Sequence, residues 1–122
     1  MPLTYILDEH LRGMLWQAIQ QHNASSAFPI DVVQVGDPPD LPLESSDPDI
    51  LLWAEREGRV VVTRDYSTML GHLTAHLRAG HHCEGLYIIR SKATIPQIVD
   101  YLAAAAYAGD PAVLLDGYEY IP

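Results

Sequence analysis

Short apolar runs alternate with helix-periodic segments along this chain, four times over, and that alternation restricts the fold more than any other feature. Leu3–Leu7 is apolar and ends at Asp8, a pattern expected of a buried strand. From Glu9 onward Leu11, Met14, Leu15, Ala18 and Ile19 recur at helical spacing, and the pattern fades through Gln20, Gln21, His22 and Asn23. A loop over Asn23–Ser26 leads to a second strand, Ile30–Val35. Gly36–Ser46 holds three prolines and several acids and predicts a long irregular connection, a kind of segment that often carries function. Asp47 then reads as an N-cap, with Pro48 at the first helical position and Gly58 as the stop. Arg59–Thr63 is β-branched like a central parallel strand and ends at Arg64-Asp65. A helix through Met69, Leu70, Leu73 and Leu77 ends at Gly80, Gly85–Ile89 forms the fourth strand, and Ile95–Ala108 forms an Ala-rich helix. The tail Tyr118–Ile121 adds an edge strand. Strands alternating with helices build βαβ units, so the expectation is one α/β domain over residues 1–122: a three-layer α/β/α sandwich around a mainly parallel sheet.

Charge and cysteine content remove several classes of function. Sixteen acids against seven Lys and Arg give a net charge of −9, which argues against gripping nucleic acid or an anionic membrane through bulk positive charge. The single cysteine, Cys83, excludes an internal disulfide and a cysteine zinc cage, and it reads as structural. No apolar run reaches the ~20 residues of a membrane span. Met1–Tyr5 has neither the basic nor the apolar region of a signal peptide, making the cytoplasm the expected compartment and a membrane partner unexpected.

Open α/β sheets bind ligands beyond the carboxyl ends of their strands. Asp8 and Glu9 follow the first strand and Asp65 follows the third. Asp47 and Asp49 start the helix feeding that third strand, so four or five carboxylates share one expected edge. Converging carboxylates repel unless a cation or proton lies among them, and their hard oxygens suit Mg²⁺ or Mn²⁺. Taken singly, Asp47, Asp49 and Glu9 are ordinary first-turn acids. Asp8 and Asp65 are harder to explain structurally, because each follows an apolar strand. His72 and His76 have i, i+4 spacing but lack the zincin glutamate, and they read with His81 and His82 as solvent-facing. Trp16 and Trp53 read as packing residues. Arg12, Arg64, Arg90 and Lys92 are the cations available to a phosphate backbone. The small residues of Tyr101–Ala108 favour core packing while leaving a homodimer open.

Three ordered segments carry a family resemblance: Tyr5-Ile6-Leu7-Asp8-Glu9-His10, Ser46-Asp47-Pro48-Asp49-Ile50-Leu51, and Ala54 to Gly58 followed by Arg59-Val60-Val61-Val62-Thr63-Arg64-Asp65. They resemble the PIN-like domain family of small proteins, which shows a Leu-Asp-Glu strand end, a Ser-Asp-x-x-Ile-Leu helix start and a Val-Thr-Arg-Asp strand end. The resemblance implies a metal-dependent ribonuclease, in some members the toxin of a toxin–antitoxin pair. RNA would be the substrate and an antitoxin protein a partner. Asp8, Asp47 and Asp65 would be the catalytic, metal-holding acids for Mg²⁺ or Mn²⁺, with Thr63 and Arg64 in support. The sequence departs from the family at Tyr66-Ser67-Thr68, where a further acid is common, leaving Asp49 and Glu9 as substitutes. Two other readings are a PIN-like protein-interaction module without chemistry and a receiver-like phospho-acceptor built on Asp8-Glu9, Asp65 and Lys92. The adjacency of Ser91 and Lys92 opposes the receiver, which needs them on separate strands.

Overall fold

The computed structural model describes residues 2–122; Met1, the first residue of the stretch read for a leader, lies outside them. Five strands, β1 (Tyr5–Leu7), β2 (Val32–Gln34), β3 (Val60–Thr63), β4 (Leu86–Ile89) and β5 (Tyr118–Ile121), form one sheet in the order β2-β1-β3-β4-β5. Every neighbouring pair is parallel, with Leu7 level with Gln34 on one side and Val62 on the other. The helices are α1 (Met14–Ser25), α2 (Asp47–Glu57), α3 (Tyr66–Arg78), α4 (Ile95–Ala108) and the single turn α5 (Pro111–Leu114). This is the three-layer α/β/α sandwich that the alternation dictates.

Side-chain alternation along the strands sorts the core into two halves. Tyr5, Leu7, Val60, Val62, Tyr87 and Ile89 pack with Leu15 and Ile19 of α1 and with Ile98 and Leu102 of α4. Ile6, Val61, Leu86 and Ile88 face the other way, against Ile50, Leu51 and Ala54 of α2 and Met69 and Leu73 of α3. The chain therefore steps from β1 to β2 over one face, then from β2 to β3 and from β3 to β4 over the other. The last step, from β4 to β5, continues in the same direction across the sheet but returns over the α1 face. Its hand is thus opposite to that of the three crossovers before it, against the strong rule for parallel connections.

Local details depart from the sequence expectations where backbone chemistry intervenes. The helix expected from Glu9 is interrupted: Glu9–Leu11 is a 3-10 turn capped by Asp8, and α1 starts only after Gly13, whose φ of 109° a side chain would disfavour. The loop expected over Asn23–Ser26 is mostly helix, because the Asn23 amide pairs with both the N–H and the C=O of Ile30 and lets α1 run to Ser25. The N-cap of α2 is Ser46 rather than Asp47; the Ser46 hydroxyl accepts from the Asp49 N–H, which moves Asp47 and Pro48 to the first two helical positions. No helix of the described residues is long and apolar enough to cross a membrane.

Candidate functional site

At the carboxyl edge of the sheet, the strand pleat decides where the acids point. Leu7 belongs to the α1 side, so Asp8, the next residue, turns to the α2–α3 side. Val61 belongs to the α2–α3 side, and Thr63 two residues on shares it. The two side chains meet: the buried Thr63 hydroxyl donates to Asp8 Oδ2 at 2.9 Å, while the Glu9 N–H holds Oδ1 at 2.6 Å. The same Thr63 oxygen accepts the Asp65 N–H at 3.1 Å, so one hydroxyl ties the two strand-end acids together.

Asp65 caps α3, accepting from the Thr68 N–H at 3.2 Å and the Ser67 hydroxyl at 3.1 Å. Asp47, in the first turn of α2, accepts from the Thr68 hydroxyl at 3.3 Å. That hydroxyl also faces Asp65, and its one proton serves one carboxylate at a time. The Thr68 hydroxyl, then its N–H, and the Ser67 donors hold Asp65 below the ordinary carboxylate range. Asp47 is shifted up, first by desolvation and then by the negative charge of Asp8, with Asp65 adding to it. Asp47 thus feels both strand-end acids, and among the described residues the basic side chain within 4 Å of the three is His72, whose Nε2 lies 3.9 Å from Asp47 Oδ2. Their donor set is all oxygen, which suits Mg²⁺ or Mn²⁺, although their ligand atoms are not all drawn within 4.8 Å of one another. Ser67 stands where the resemblance would place a further acid, and it contributes a donor instead.

Glu9 and Asp49 are not brought into this group. Glu9 reaches away to accept the Glu44 N–H, pinning the Gly36–Ser46 connection, and Asp49 lines a separate hollow with Asp40, Trp53 and Arg56. Asp8, His10, Arg64, Asp65, Tyr66 and Ser67 line a cleft of about 320 Å³. Arg64 and Tyr66 are shared with a larger neighbouring cleft of about 550 Å³, which adds Arg90, Ser91, Lys92 and Tyr120. Arg64, Arg90 and Lys92 make no ion pair within 4 Å among the described residues, whereas Arg12, Arg56 and Arg59 are each paired with a carboxylate. In a chain of net charge −9, three of the seven Lys and Arg thus converge beside the acids, uncompensated. Arg90 stacks 5.2 Å from the Tyr120 ring centre, and Tyr66 faces Tyr120 across the cleft at 6.5 Å. Sequence reading named the three cations but not the two tyrosines, because Tyr66 and Tyr120 are brought together only by the pairing of β4 with β5.

One expectation about the histidines is corrected. His76 is not solvent-facing: it is buried, with Nε2 2.8 Å from the His82 carbonyl oxygen. His81 is exposed, as expected, yet it is held, stacked on the His76 ring at 4.8 Å and bonded through Nδ1 to Glu55 at 3.0 Å. The cause is Gly80, whose φ of 90° turns the chain back over the end of α3. The receiver-like reading loses its lysine, since β5 ends at Ile121 and Lys92 follows β4. Cys83 is buried and free, and burial pushes its thiol up to about 11, which leaves it a poor nucleophile. No protein-family model matches the chain, and neither a curated protein nor a solved structure does.

Proposed function

We propose that this protein is a Mg²⁺- or Mn²⁺-dependent ribonuclease of PIN-like type, acting on single-stranded RNA. The observation that carries the reading is the juxtaposition at one sheet edge of three mutually repelling aspartates and a cleft holding three unpaired cations and two tyrosines. Asp8, Asp47 and Asp65 would hold the ion, with the Asp8 carboxylate oriented by the Thr63 hydroxyl and that of Asp65 by the Ser67 hydroxyl and the Thr68 N–H. The chemistry supplied there by bound Mg²⁺ or Mn²⁺ is activation of a water for in-line attack and neutralisation of charge building on the phosphate. Arg64, which lines both clefts, would meet the scissile phosphate, while Arg90 and Lys92 would engage phosphates further along the strand. Tyr66 and Tyr120 offer ring faces to unpaired bases, which favours a single strand over a duplex. The net charge of −9 works against long-range attraction of RNA, so binding through these few cations is weak and strongly salt-dependent.

Purified full-length protein incubated with Mn²⁺ and end-labelled single-stranded RNA tests this. Cleavage that EDTA abolishes, and that falls at least about 100-fold in Asp8→Asn, Asp47→Asn and Asp65→Asn with unchanged circular dichroism, is the expected result. Intact RNA with the parent protein, or equal cleavage by the variants, rules the reading out. Neither cleavage nor binding of the RNA would favour the protein-interaction module instead, a reading to which the absence of an acid at Ser67 lends support.

A further inference from the structure

We propose a second metal site, specific for a transition metal of the Zn²⁺ type, at the end of α2 and α3 remote from the carboxylate edge, with Glu55, His76 and His81 as its ligands. The three residues come from the last turns of α2 and α3 and from the turn after α3, and their ligand atoms all lie within 4.8 Å of one another. Glu55 Oε1 is 3.3 Å from His76 Nε2 and 3.0 Å from His81 Nδ1, so the three atoms already surround one small volume. Two imidazole nitrogens and one carboxylate oxygen form the donor set of open zinc sites, whereas Mg²⁺ prefers oxygen alone. The two ends of the α2–α3 layer thus present chemically distinct donor sets, one hard and one borderline.

The surroundings hold these ligands in place, as outer partners do around a metal centre. Glu55 Oε2 accepts the His82 N–H at 2.9 Å, which leaves Oε1 aimed at the two rings. Asp116 accepts from the Cys83 N–H at 2.8 Å and pairs with His82 Nδ1 at 3.1 Å, fixing the turn that carries His81. His76 is only 4 % exposed in its side chain, against 45 % for His81. One face of the site is therefore dry and the other open to an incoming ion and a remaining water. His76 Nε2 faces two acceptors, the Glu55 carboxylate and the His82 carbonyl, and His81 Nδ1 faces the same carboxylate. Both nitrogens carry protons in that arrangement. Metal binding moves each proton to the other ring nitrogen or to solvent, and the hydrogen bonds give way to coordination.

Titration of untagged, full-length protein with Zn²⁺ against a chromophoric chelator, alongside Co²⁺ absorption in the visible, tests the site. One equivalent of Zn²⁺ and a four-coordinate Co²⁺ spectrum are expected. His81→Ala and Glu55→Gln, both at partly exposed positions, should weaken Zn²⁺ binding by more than about 100-fold and abolish that spectrum. Asp65→Asn, at the other end of the helices, should leave both unchanged, which keeps the outcome separate from that of the ribonuclease reading. His72→Ala should also leave them unchanged. No stoichiometric Zn²⁺ binding by the parent, or parent-like binding by His81→Ala and Glu55→Gln, overturns the proposal; His76→Ala is a weaker test because it empties a buried position.

Discussion

Thr63 shows how one atom organises the candidate site. Its hydroxyl donates to Asp8 and accepts from the Asp65 N–H, and no exposed surface remains to bring water in its place. Thr63→Val keeps the shape but leaves a carboxylate oxygen and an N–H without their partner. We expect a loss of about 2 to 4 kcal/mol in urea unfolding, with Thr63→Ser retaining most of the parent stability. Sequence reading reached Asp8 and Asp65 because each follows a strand at the ligand-binding edge, and Thr63 only through the family resemblance. It did not reach the Glu55–His76–His81 group. Those residues are up to 26 positions apart and meet through a helix-end reversal at Gly80, which no periodicity signals. The buried state of His76 was hidden for a related reason: Leu73 and Leu77 mark the core face of α3, but the turn after Gly80 covers the flank beside it.

Elements were legible where a local rule had no competitor. α4 begins and ends as its residues dictate, with Thr94 and Gln97 forming a reciprocal cap and Gly109 following Ala108. The strand cores were legible from β-branched runs, although the hydrogen-bonded spans are shorter than the apolar ones. The break at Gly13 was not legible, since Leu11 and Leu15 both keep helical spacing and both are buried. Two glycines separate conformational from packing requirements. Gly58 closes α2 at φ 69° with nothing near the position of an added Cβ, so Gly58→Ala should cost only the left-handed penalty of about 1 kcal/mol. Gly85, at φ 134° just before β4, would place a Cβ 2.1 Å from Leu114 Cγ. Gly85→Ala therefore adds a steric clash to backbone strain and should cost about 3 kcal/mol or more, the ranking to be read from denaturant midpoints.

At the scale of the whole molecule, the excess negative charge has a pH signature. The folded-state pKa of Asp47 is raised, so the folded chain binds more protons than the unfolded one just above the ordinary carboxylate value of 3.8. Its contribution therefore lowers stability as pH rises through that window. Asp65 acts in the opposite sense, adding stability above the ordinary carboxylate value that is lost as pH falls through its lowered pKa. Asp47→Asn should accordingly stabilise the protein near neutral pH, by less than about 1 kcal/mol, and the gain should vanish in acid. Measuring urea midpoints from about pH 4 to pH 7 for parent and variant checks the sign. The layered, parallel architecture was readable from the alternation of runs, but the reversed last crossover was not, because handedness leaves no trace in residue pattern. That crossover divides labour along the chain. Every carboxylate of the sheet edge lies at or before Asp65, within the conventionally wound part, while Arg90, Lys92 and Tyr120 enter with the segment that returns over the far face. Substitutions at the exposed Arg90, Lys92 and Tyr120 can therefore retune what the cleft grips without touching the acid set, whereas Ile98, Leu102 and Ile121 of the same returning segment are fixed by the core they complete.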